Sequence, residues 1–530
     1  MRMTIPALFA QAVENGTDRP ALGTIHEGHL QWRTWQDLRL EVDQYARLLR
    51  THQVQPGDRV GQVSENCQAW IAVDLAILSL GAVHVPMHVS LAASQLVDQI
   101  RDCDAQVVLL SPAAQSKFKQ KLDTCCTVLL HTSAQAKNDP ATPIENFAEA
   151  YPNLPSANDL ATLIYTSGTT GKPRGVMLSH QNLTSNAISV TQAVGTQADE
   201  TRLCFLPFSH IYARTCDLYS WLFQGSQLVL AENRETIVRD CQIASPSVIN
   251  GVPYFYQKLA EQLQDAKSGT LESLLGGRIK RCFCGGAAVA PEVESLFEQQ
   301  GLPLLSGYGL TEASPVVTAT SLENYQAGSV GRPLPGIEVH LSDDHEILVR
   351  GPGVMQGYWR DPLATQNTLA EGWLKTGDLG QWSASGNLTI AGRAKELIVL
   401  TTGKNVSPTQ IENLLVGSPY VESVCVVGDG RKCLAALIVP NPAALRTFIQ
   451  QKRLWVWSRR RAVTHPRVHE LFRSEIDRLL AGVSRAEQVG PFAILDRNFA
   501  LEQGEITTKL SLRRSKIAAN FSHLIESIYR

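Results

Sequence analysis

No stretch of the 530-residue chain approaches the ~18 consecutive apolar residues that a membrane-spanning helix needs, so no span is expected. Nor is there an excess of charge of either sign: 48 Lys and Arg face 50 Asp and Glu, a net charge of −2. A general nucleic-acid binder needs a basic surface to displace counterions, and this balance argues against that class. Cysteine is sparse and unpatterned. The eleven cysteines are odd in number, with Cys125 and Cys126 adjacent and Cys282 and Cys284 one residue apart, and none has metal-ligand spacing. A reduced, cytosolic chain is the simplest account. The opening "MRMTIPALFAQAVENG" has no long apolar core and is broken by Glu14, so it does not read as a signal peptide. Low-complexity tracts and internal repeats are absent, while peripheral membrane attachment stays open.

The remainder is that of a soluble globular protein, 44% hydrophobic and 18% charged. At roughly 150 residues per domain, several modules are expected. From Gly57 onward strands and helices alternate: "DRVGQVS" as strand, "AWIAVDLAILSLGA" as helix, "VHVPM" as strand, "AASQLVDQIRD" as amphipathic helix, "AQVVLLS" as strand. This order predicts a parallel sheet covered on both faces. The alternation returns between Leu203 and Val289, with strands at "SQLVLA" and "SVING" and helical patterns at Arg234–Ile243 and Tyr254–Ala266. After Gly328 short runs punctuated by Gly and Pro suggest a small antiparallel unit or barrel. "GNLTIAGRAKELIVL" gives two short strands around Gly392 and Arg393, and from about Lys395 the texture is mixed α+β. A domain boundary is placed near Ala394–Lys395.

One loop stands apart. In "LIYTSGTTGKPRGVMLSH" (Leu163–His180) a strand enters and stops at Gly168. Missing Cβ atoms let backbone N–H groups converge on an anion, hydroxyls add donors, and Lys172 adds positive charge. The composition is one that cradles phosphate. It is not a Walker A loop, because Pro173 follows Gly171 and Lys172 and the glycine spacing differs. Alone, it reads equally well as a Gly-rich hairpin with polar decoration.

Three further stretches follow it: "GYGLTEASP" (Gly307–Pro315), "GWLKTGDLG" (Gly372–Gly380) and "GRAKELIVLTTGKNVSP" (Gly392–Pro408). Together with "YTSGTTGKPRGV" they resemble, in order, the motifs of the adenylate-forming superfamily of acyl-CoA synthetases, luciferases and peptide-synthetase adenylation domains. The resemblance implies an α/β fold. Its large N-terminal domain, residues 1–394, would hold doubly wound mixed or parallel sheets with a β-barrel-like subdomain. A smaller, mobile α+β C-terminal domain, residues 395–530, would rotate about a hinge at Lys395. It also implies ATP, Mg²⁺ and coenzyme A as cosubstrates and cofactor.

Residue by residue, Thr166, Ser167, Gly168, Thr169, Thr170, Gly171 and Lys172 would hold the β- and γ-phosphates. Tyr308, between Gly307 and Gly309, would offer a flat face to adenine; the plainer reading is a core aromatic. Thr311 would bond the α-phosphate, and Glu312, with Thr166, would meet Mg²⁺, since a hard ion takes a carboxylate and further oxygens. Asp378 would accept both ribose hydroxyls, although an Asp after Thr-Gly is also a common turn residue. Arg393 would approach the ribose or phosphate. Gly403 and Lys404, in "GKNVSP", would line the pantetheine tunnel.

The segment Phe205–Leu259 most resembles the long-chain fatty acyl-CoA synthetase branch. An acyl pocket is expected between His210–Arg214, Asn250–Tyr254 and Gly285–Ala288, using Asn250, Gly251, Tyr254, Gly285, Gly286, Ala287 and Ala288. "CGGAAVAP" lacks bulk, as an alkyl chain requires and as many turns do. His210 would orient the carboxyl end or be a satisfied core histidine. Asp217 is offset from the position where amino-acid-activating relatives anchor an amine.

"GEITTKLSLRR" (Gly504–Arg514) departs from the family pattern. Ungapped, Ser511 occupies the lysine position, and Lys509 stands two residues earlier. In an extended segment that keeps the same face and moves the root by roughly 6.6 Å, so Lys509 is assigned the adenylation role. The basic "KRLWVWSRRRAVTHPRVHELFR" (Lys452–Arg473) could meet CoA phosphates or an anionic membrane; the plainer reading packs its tryptophans on the domain. The whole reads as a fatty acyl-CoA synthetase for medium to long chains. Its rivals are a ligase loading carrier-protein pantetheine and a weakly catalytic nucleotide- or lipid-binding relative.

Overall fold

The computed structural model describes residues 3–131, 151, 154–167, 173–195, 197–264, 270–402, 404–500, 502–506 and 512–530. Two large sheets organise the first part. A seven-stranded sheet runs in the order Gly357–Tyr358, Pro173–Ser179, Leu160–Ser167, Val83–Met87, Arg59–Val63, Val107–Leu110, Thr127–Leu130. Its last five strands are parallel, and Pro173–Ser179 returns antiparallel beside Leu160–Ser167. A nine-stranded sheet carries six parallel strands in the order Leu304–Gly309, Arg281–Cys284, Val248–Gly251, Thr201–Cys204, Gln227–Leu230, Pro20–His26, with antiparallel strands at both edges.

Helices fill the space between the sheets and cover their outer faces. Gln68–Ser79 is buried along nearly its whole length, which explains a sequence apolar all round. Trp35–Thr51 starts at a capping box: Thr34 Oγ1 accepts from Asp37 N at 3.1 Å, and Asp37 Oδ2 accepts from Thr34 N at 2.9 Å. His180–Val194 starts at a similar pair, Ser179 and Asn182. Ile237–Ala244 begins later than the periodicity suggests, because Asn233 Oδ1 accepts from the N–H groups of Glu235 and Thr236 and holds a turn there.

The inner core contains charge. Arg214 and Asp74 are fully buried and paired at 2.5 Å. Arg214 also donates to Thr162 Oγ1 at 2.8 Å and Tyr219 Oη at 2.6 Å, and His84 Nδ1 lies 2.6 Å from Asp74 Oδ1. Burial, reinforced by the Arg214 charge, pushes the His84 imidazole down to about 4, so it is neutral. Arg214 is therefore part of a structural network and does not belong to an acyl pocket.

The expected antiparallel unit is a five-stranded sheet of Glu338–Leu341, Glu346–Arg350, Leu369–Ala370, Trp373–Trp382 and Leu388–Arg393. It is an open sheet: Trp373–Trp382 pairs with three of the others, and no described pairing closes it into a barrel. From Ile398 onward a separate hydrophobic core forms on the two faces of a three-stranded sheet, Val421–Val427, Leu434–Pro440 and Val489–Ile494. No helix of the described residues is long and apolar enough to cross a membrane.

Candidate active site

A cleft of about 2900 Å³ opens at the C-terminal ends of the nine-stranded sheet's parallel strands and extends to the C-terminal core. In open α/β sheets this is where ligands bind. Strand Leu304–Gly309 delivers Tyr308 to it, and the paired strands Trp373–Trp382 and Leu388–Arg393 deliver Asp378 opposite Arg393 in register.

Those three side chains meet. Tyr308 Oη donates to Asp378 Oδ2 at 2.7 Å, and Arg393 Nε sits 3.0 Å from Asp378 Oδ1. Thr376 Oγ1 accepts from the Asp378 N–H at 3.1 Å and fixes the turn. Asp378 is only 5% exposed, so burial raises its carboxyl above the ordinary range, and Arg393 and Tyr308 counter the shift. Each oxygen keeps a lone pair for a further donor, so the group can accept two hydroxyls at once.

Glu312 lies in a short 3₁₀ turn, Thr311–Ala313, that follows Gly309. A Cβ at Gly309 would lie 2.0 Å from the Pro315 carbonyl oxygen, so only glycine lets the chain fold back to form that turn. Tyr358 Oη donates to Glu312 Oε1 at 2.9 Å, and the Arg174 guanidinium lies 5.5 Å from the Tyr358 ring while pairing with Asp361 at 3.1 Å. Oε2 of Glu312 has no partner among the described residues. Among them there is also no cluster of three His, Cys, Asp or Glu that could hold a metal. A Mg²⁺ here would therefore rest on Glu312 together with phosphate oxygens, which suits its preference for few carboxylates. Thr166 lines the same cleft, paired in register with Arg174 across the hairpin.

Gly168, Thr169, Thr170, Gly171 and Lys172 lie outside the described residues, as do Gly403, Lys509 and Ser511; of Ser167 only the backbone is described. The flanking Ser167 and Pro173 pair across the hairpin. Ile506 and Leu512 pair as an antiparallel bridge on either side of the segment with Lys509. Arg514 makes a two-pronged pairing with buried Glu412 and lies 3.6 Å from Glu396, beside the exposed Lys395.

The inner part of the cleft holds His210, Asn250, Gly285, Gly286, Ala287 and Ala288. Gly286 has φ +89°, a conformation that excludes most other residues. A Cβ at Gly285 would meet the Tyr212 ring at 3.2 Å. His210 stacks on His88, centroids 5.4 Å apart. Two residues leave the pocket. Tyr254 is 57% exposed at the start of helix Pro253–Gln264, under the Lys258 ammonium, and Tyr212 contributes the aromatic wall instead. A Cβ at Gly251 would meet the Tyr256 and Phe255 rings at 2.8 and 2.9 Å, and Gly251 is off the cleft lining. Lys404 also lies off the cleft lining; its carbonyl accepts from Leu400 N in a small hairpin.

Sequence reasoning passed over Arg174, Tyr358 and Arg202. Arg202, 3% exposed, lines the inner end beside Asn250, with Nη1 donating to the Cys216 carbonyl at 3.2 Å and Nη2 to Gln224 Oε1 at 2.7 Å. Its Nε is buried without a partner among the described residues. Asn250 Nδ2 donates to Asp217 Oδ1 at 2.5 Å, which turns its carbonyl oxygen away from Asp217. Burial pushes the Asp217 carboxyl up to about 6.

The profile of the AMP-binding enzyme family matches residues 8–359, and that of the AMP-binding enzyme C-terminal domain matches residues 395–530. The long-chain-fatty-acid–CoA ligase FadD15 of Mycobacterium bovis is 30% identical over 534 residues, covering 90% of this chain and 88% of that protein. A feruloyl-CoA synthase of Amycolatopsis sp is 31% identical over 410 residues (74% and 80%). The chloroplastic long-chain-fatty-acid–[acyl-carrier-protein] ligase AEE15 of Arabidopsis thaliana is 26% identical over 646 residues (99% and 86%). The crystal structure of ATP-bound MatB from Rhodopseudomonas palustris superposes with a TM-score of 0.80 at 23% identity, covering 98% of this chain and 100% of that one. With the cleft and its motifs in place, the chain belongs to the AMP-binding enzyme family, within the adenylate-forming superfamily.

Proposed function

We propose that the chain activates a medium- to long-chain fatty acid with ATP and transfers it to coenzyme A. The observation that supports this reading most is the continuity of the cleft: the Tyr308–Asp378–Arg393 cluster, Glu312 and the small-residue loop Gly285–Ala288 share one space. In the first step a carboxylate oxygen attacks the α-phosphorus, the bond to pyrophosphate breaks, and acyl-AMP forms. In the second, the CoA sulfur attacks the acyl carbon and AMP leaves.

The residues act by holding and neutralising. Tyr308 packs on adenine, while Asp378 and Arg393 fix the ribose. Thr311 and the Thr166–Lys172 loop take the phosphates. Glu312 would hold Mg²⁺, which supplies charge neutralisation on phosphate oxygens, and Tyr358 and Arg174 keep that carboxylate in place. Lys509 is assigned to the carboxylate and α-phosphate. We place the boundary between two domains at Ala394–Lys395, with Lys395 as the hinge; the separate cores support this division. The matches to CoA ligases favour CoA as acceptor, with carrier-protein pantetheine as the rival.

A panel of fatty acids in ATP–pyrophosphate exchange, followed by thioester assays with CoA and with holo-carrier protein, tests this reading. Acid-dependent exchange and acyl-CoA formation are expected; exchange with no acid of the panel would overturn it in favour of a binding protein.

A second reading concerns the acid's far end. Register aligns Arg202 with Val248 and Arg281, three residues before Cys284, or about 10 Å down the strands from the glycine loop. A methyl terminus gains nothing from the free Arg202 N–H and the Asn250 carbonyl oxygen, whereas a hydroxyl accepts from one and donates to the other. A terminal hydroxyl, on an alkyl or aryl acid, therefore suits this end. Hydroxylated and plain acids of equal length, compared in wild type and Arg202→Met, separate the two readings: a preference for the hydroxyl that disappears in the variant supports the second.

A further inference from the structure

The basic stretch from Lys452 takes no part in the cleft. Helix Pro442–Gln451 ends, Arg453 adopts φ +51°, and the irregular chain that follows alternates half-buried and exposed residues from Leu454 to Trp457. Leu454 and Val456 pack into the C-terminal core. With Leu454 and Val456 turned inward, Trp455 and Trp457 between and after them face outward, 83% and 69% exposed. Their rings meet edge to face, centroids 5.6 Å apart, with the Arg461 guanidinium 5.9 Å from the Trp457 ring. The plainer expectation, tryptophans packed on the domain, is thereby corrected.

Charge is as one-sided as the exposure. Lys452, Arg453, Arg459, Arg460, Arg461 and Arg467 are all exposed, and no Asp or Glu occurs between Lys452 and His469, in a chain of net charge −2. An amphipathic indole favours the headgroup layer of a bilayer, and clustered cations favour its anionic phosphates. Neither tryptophan nor any of Arg459, Arg460 and Arg461 lines the cleft. The patch nevertheless borders it. Arg459 donates to Asn498 Oδ1 at 2.9 Å, and Asn498 donates to Glu422 Oε1 at 2.7 Å, Glu422 being on the cleft lining.

We propose that Trp455, Trp457 and the Arg459–Arg461 cluster form a docking surface for an anionic lipid bilayer, which sets the rim of the cleft against the membrane. The proposal concerns this surface and stands whichever acid the cleft takes.

Flotation of the full chain at low salt, with vesicles of phosphatidylcholine alone or enriched in phosphatidylglycerol, tests it. Binding to the phosphatidylglycerol vesicles only, weakened by salt and accompanied by a blue shift of tryptophan emission, is expected. W455A/W457A and R459Q/R460Q/R461Q should each weaken binding at least tenfold while leaving the exchange rate with a water-soluble acid unchanged, which controls for folding. Three results would overturn the proposal: no flotation at low salt; variants that float like wild type; or arginine variants that raise KM for CoA alone. Self-association abolished by W455A/W457A without any flotation would assign the patch to a second copy and overturn it too.

Discussion

Replacing Asp378 by Asn tests the nucleotide site with little change of shape. In the proposed site the carboxylate would offer an oxygen to each of two ribose hydroxyls; the amide keeps one acceptor, and Tyr308 can still donate to it. One hydrogen bond to a charged group is lost, about 1.5–3 kcal/mol. The broken pairing with Arg393 adds little, because that side chain is 54% exposed and surface pairs contribute about 0–1 kcal/mol. At about 1.4 kcal/mol per factor of ten, KM for ATP in acid-dependent exchange should rise about 10- to 150-fold. The pH profile carries a second signature. Burial raises the Asp378 pKa, so as pH falls the acceptor is lost at a higher pH than for an ordinary carboxylate. Wild-type KM for ATP should climb on the acidic side while the Asn variant stays flat there. Thermal unfolding controls for stability, which should hold, since removing a buried charge relieves desolvation. An unchanged KM for ATP, or an effect on kcat alone, would refute the assignment.

Arg214→Met leaves Asp74 charged and buried without its partner, and urea unfolding should show a loss of about 3–5 kcal/mol; a loss under about 1 kcal/mol would mean the pair is dispensable. The Asp217 carboxyl, pushed up to about 6 by burial, contributes stability that is full below its unfolded pKa near 3.9 and is lost as pH rises through about 6. Relative to Asp217→Asn, wild type should therefore lose about 3 kcal/mol between about pH 4 and pH 7, and parallel stability curves would contradict this. Lys509→Ala should abolish most pyrophosphate exchange, whereas Lys516→Ala, at a residue on the cleft lining, should retain it; the reverse would transfer the role to Lys516.

The meeting of Tyr308, Glu312, Asp378 and Arg393 in one cleft was legible in the sequence because each piece is a short contiguous motif in which the backbone itself makes the geometry. Gly309 shows why: a turn that admits only glycine writes itself into the chain. The strand and helix order of the first half was legible for a similar reason, since apolar runs such as Gln68–Ser79 reflect burial on all sides. What escaped depends on contacts between distant segments. Glu312 meets Tyr358, whose ring lies against Arg174, and Arg214 meets Asp74, through pairings that no local pattern encodes. Tyr254 was misplaced because the face a residue takes at a helix start depends on the angle at which the strand before it ends. The outward tryptophans did leave a signal, the alternation of Leu454 and Val456 with Trp455 and Trp457, obscured by the helix-like run of charge that follows.

The buried charges and the cleft charges divide the work. Arg214 spends its donors on Asp74, Tyr219 and Thr162, so it has little left for a ligand. Yet Thr162 and Thr166 share a face of one strand, being an even number of residues apart, and Thr166 opens on the cleft. The network thus clamps the root of the strand whose end is proposed to meet phosphate. In-line transfer tolerates misplacement of well under 1 Å, and a neutral His84 with a paired Asp74 gives that root no titrating group near neutral pH. In contrast, Glu312, Arg393 and Lys395 are left partly exposed with unused hydrogen-bonding capacity. Arg214→Lys separates support from charge: it keeps the cation but loses the fork that spans Asp74, Tyr219 and Thr162. A folded variant with raised KM for ATP is the expected result, because the disturbance travels along the strand to Thr166; an unchanged KM for ATP would refute the link.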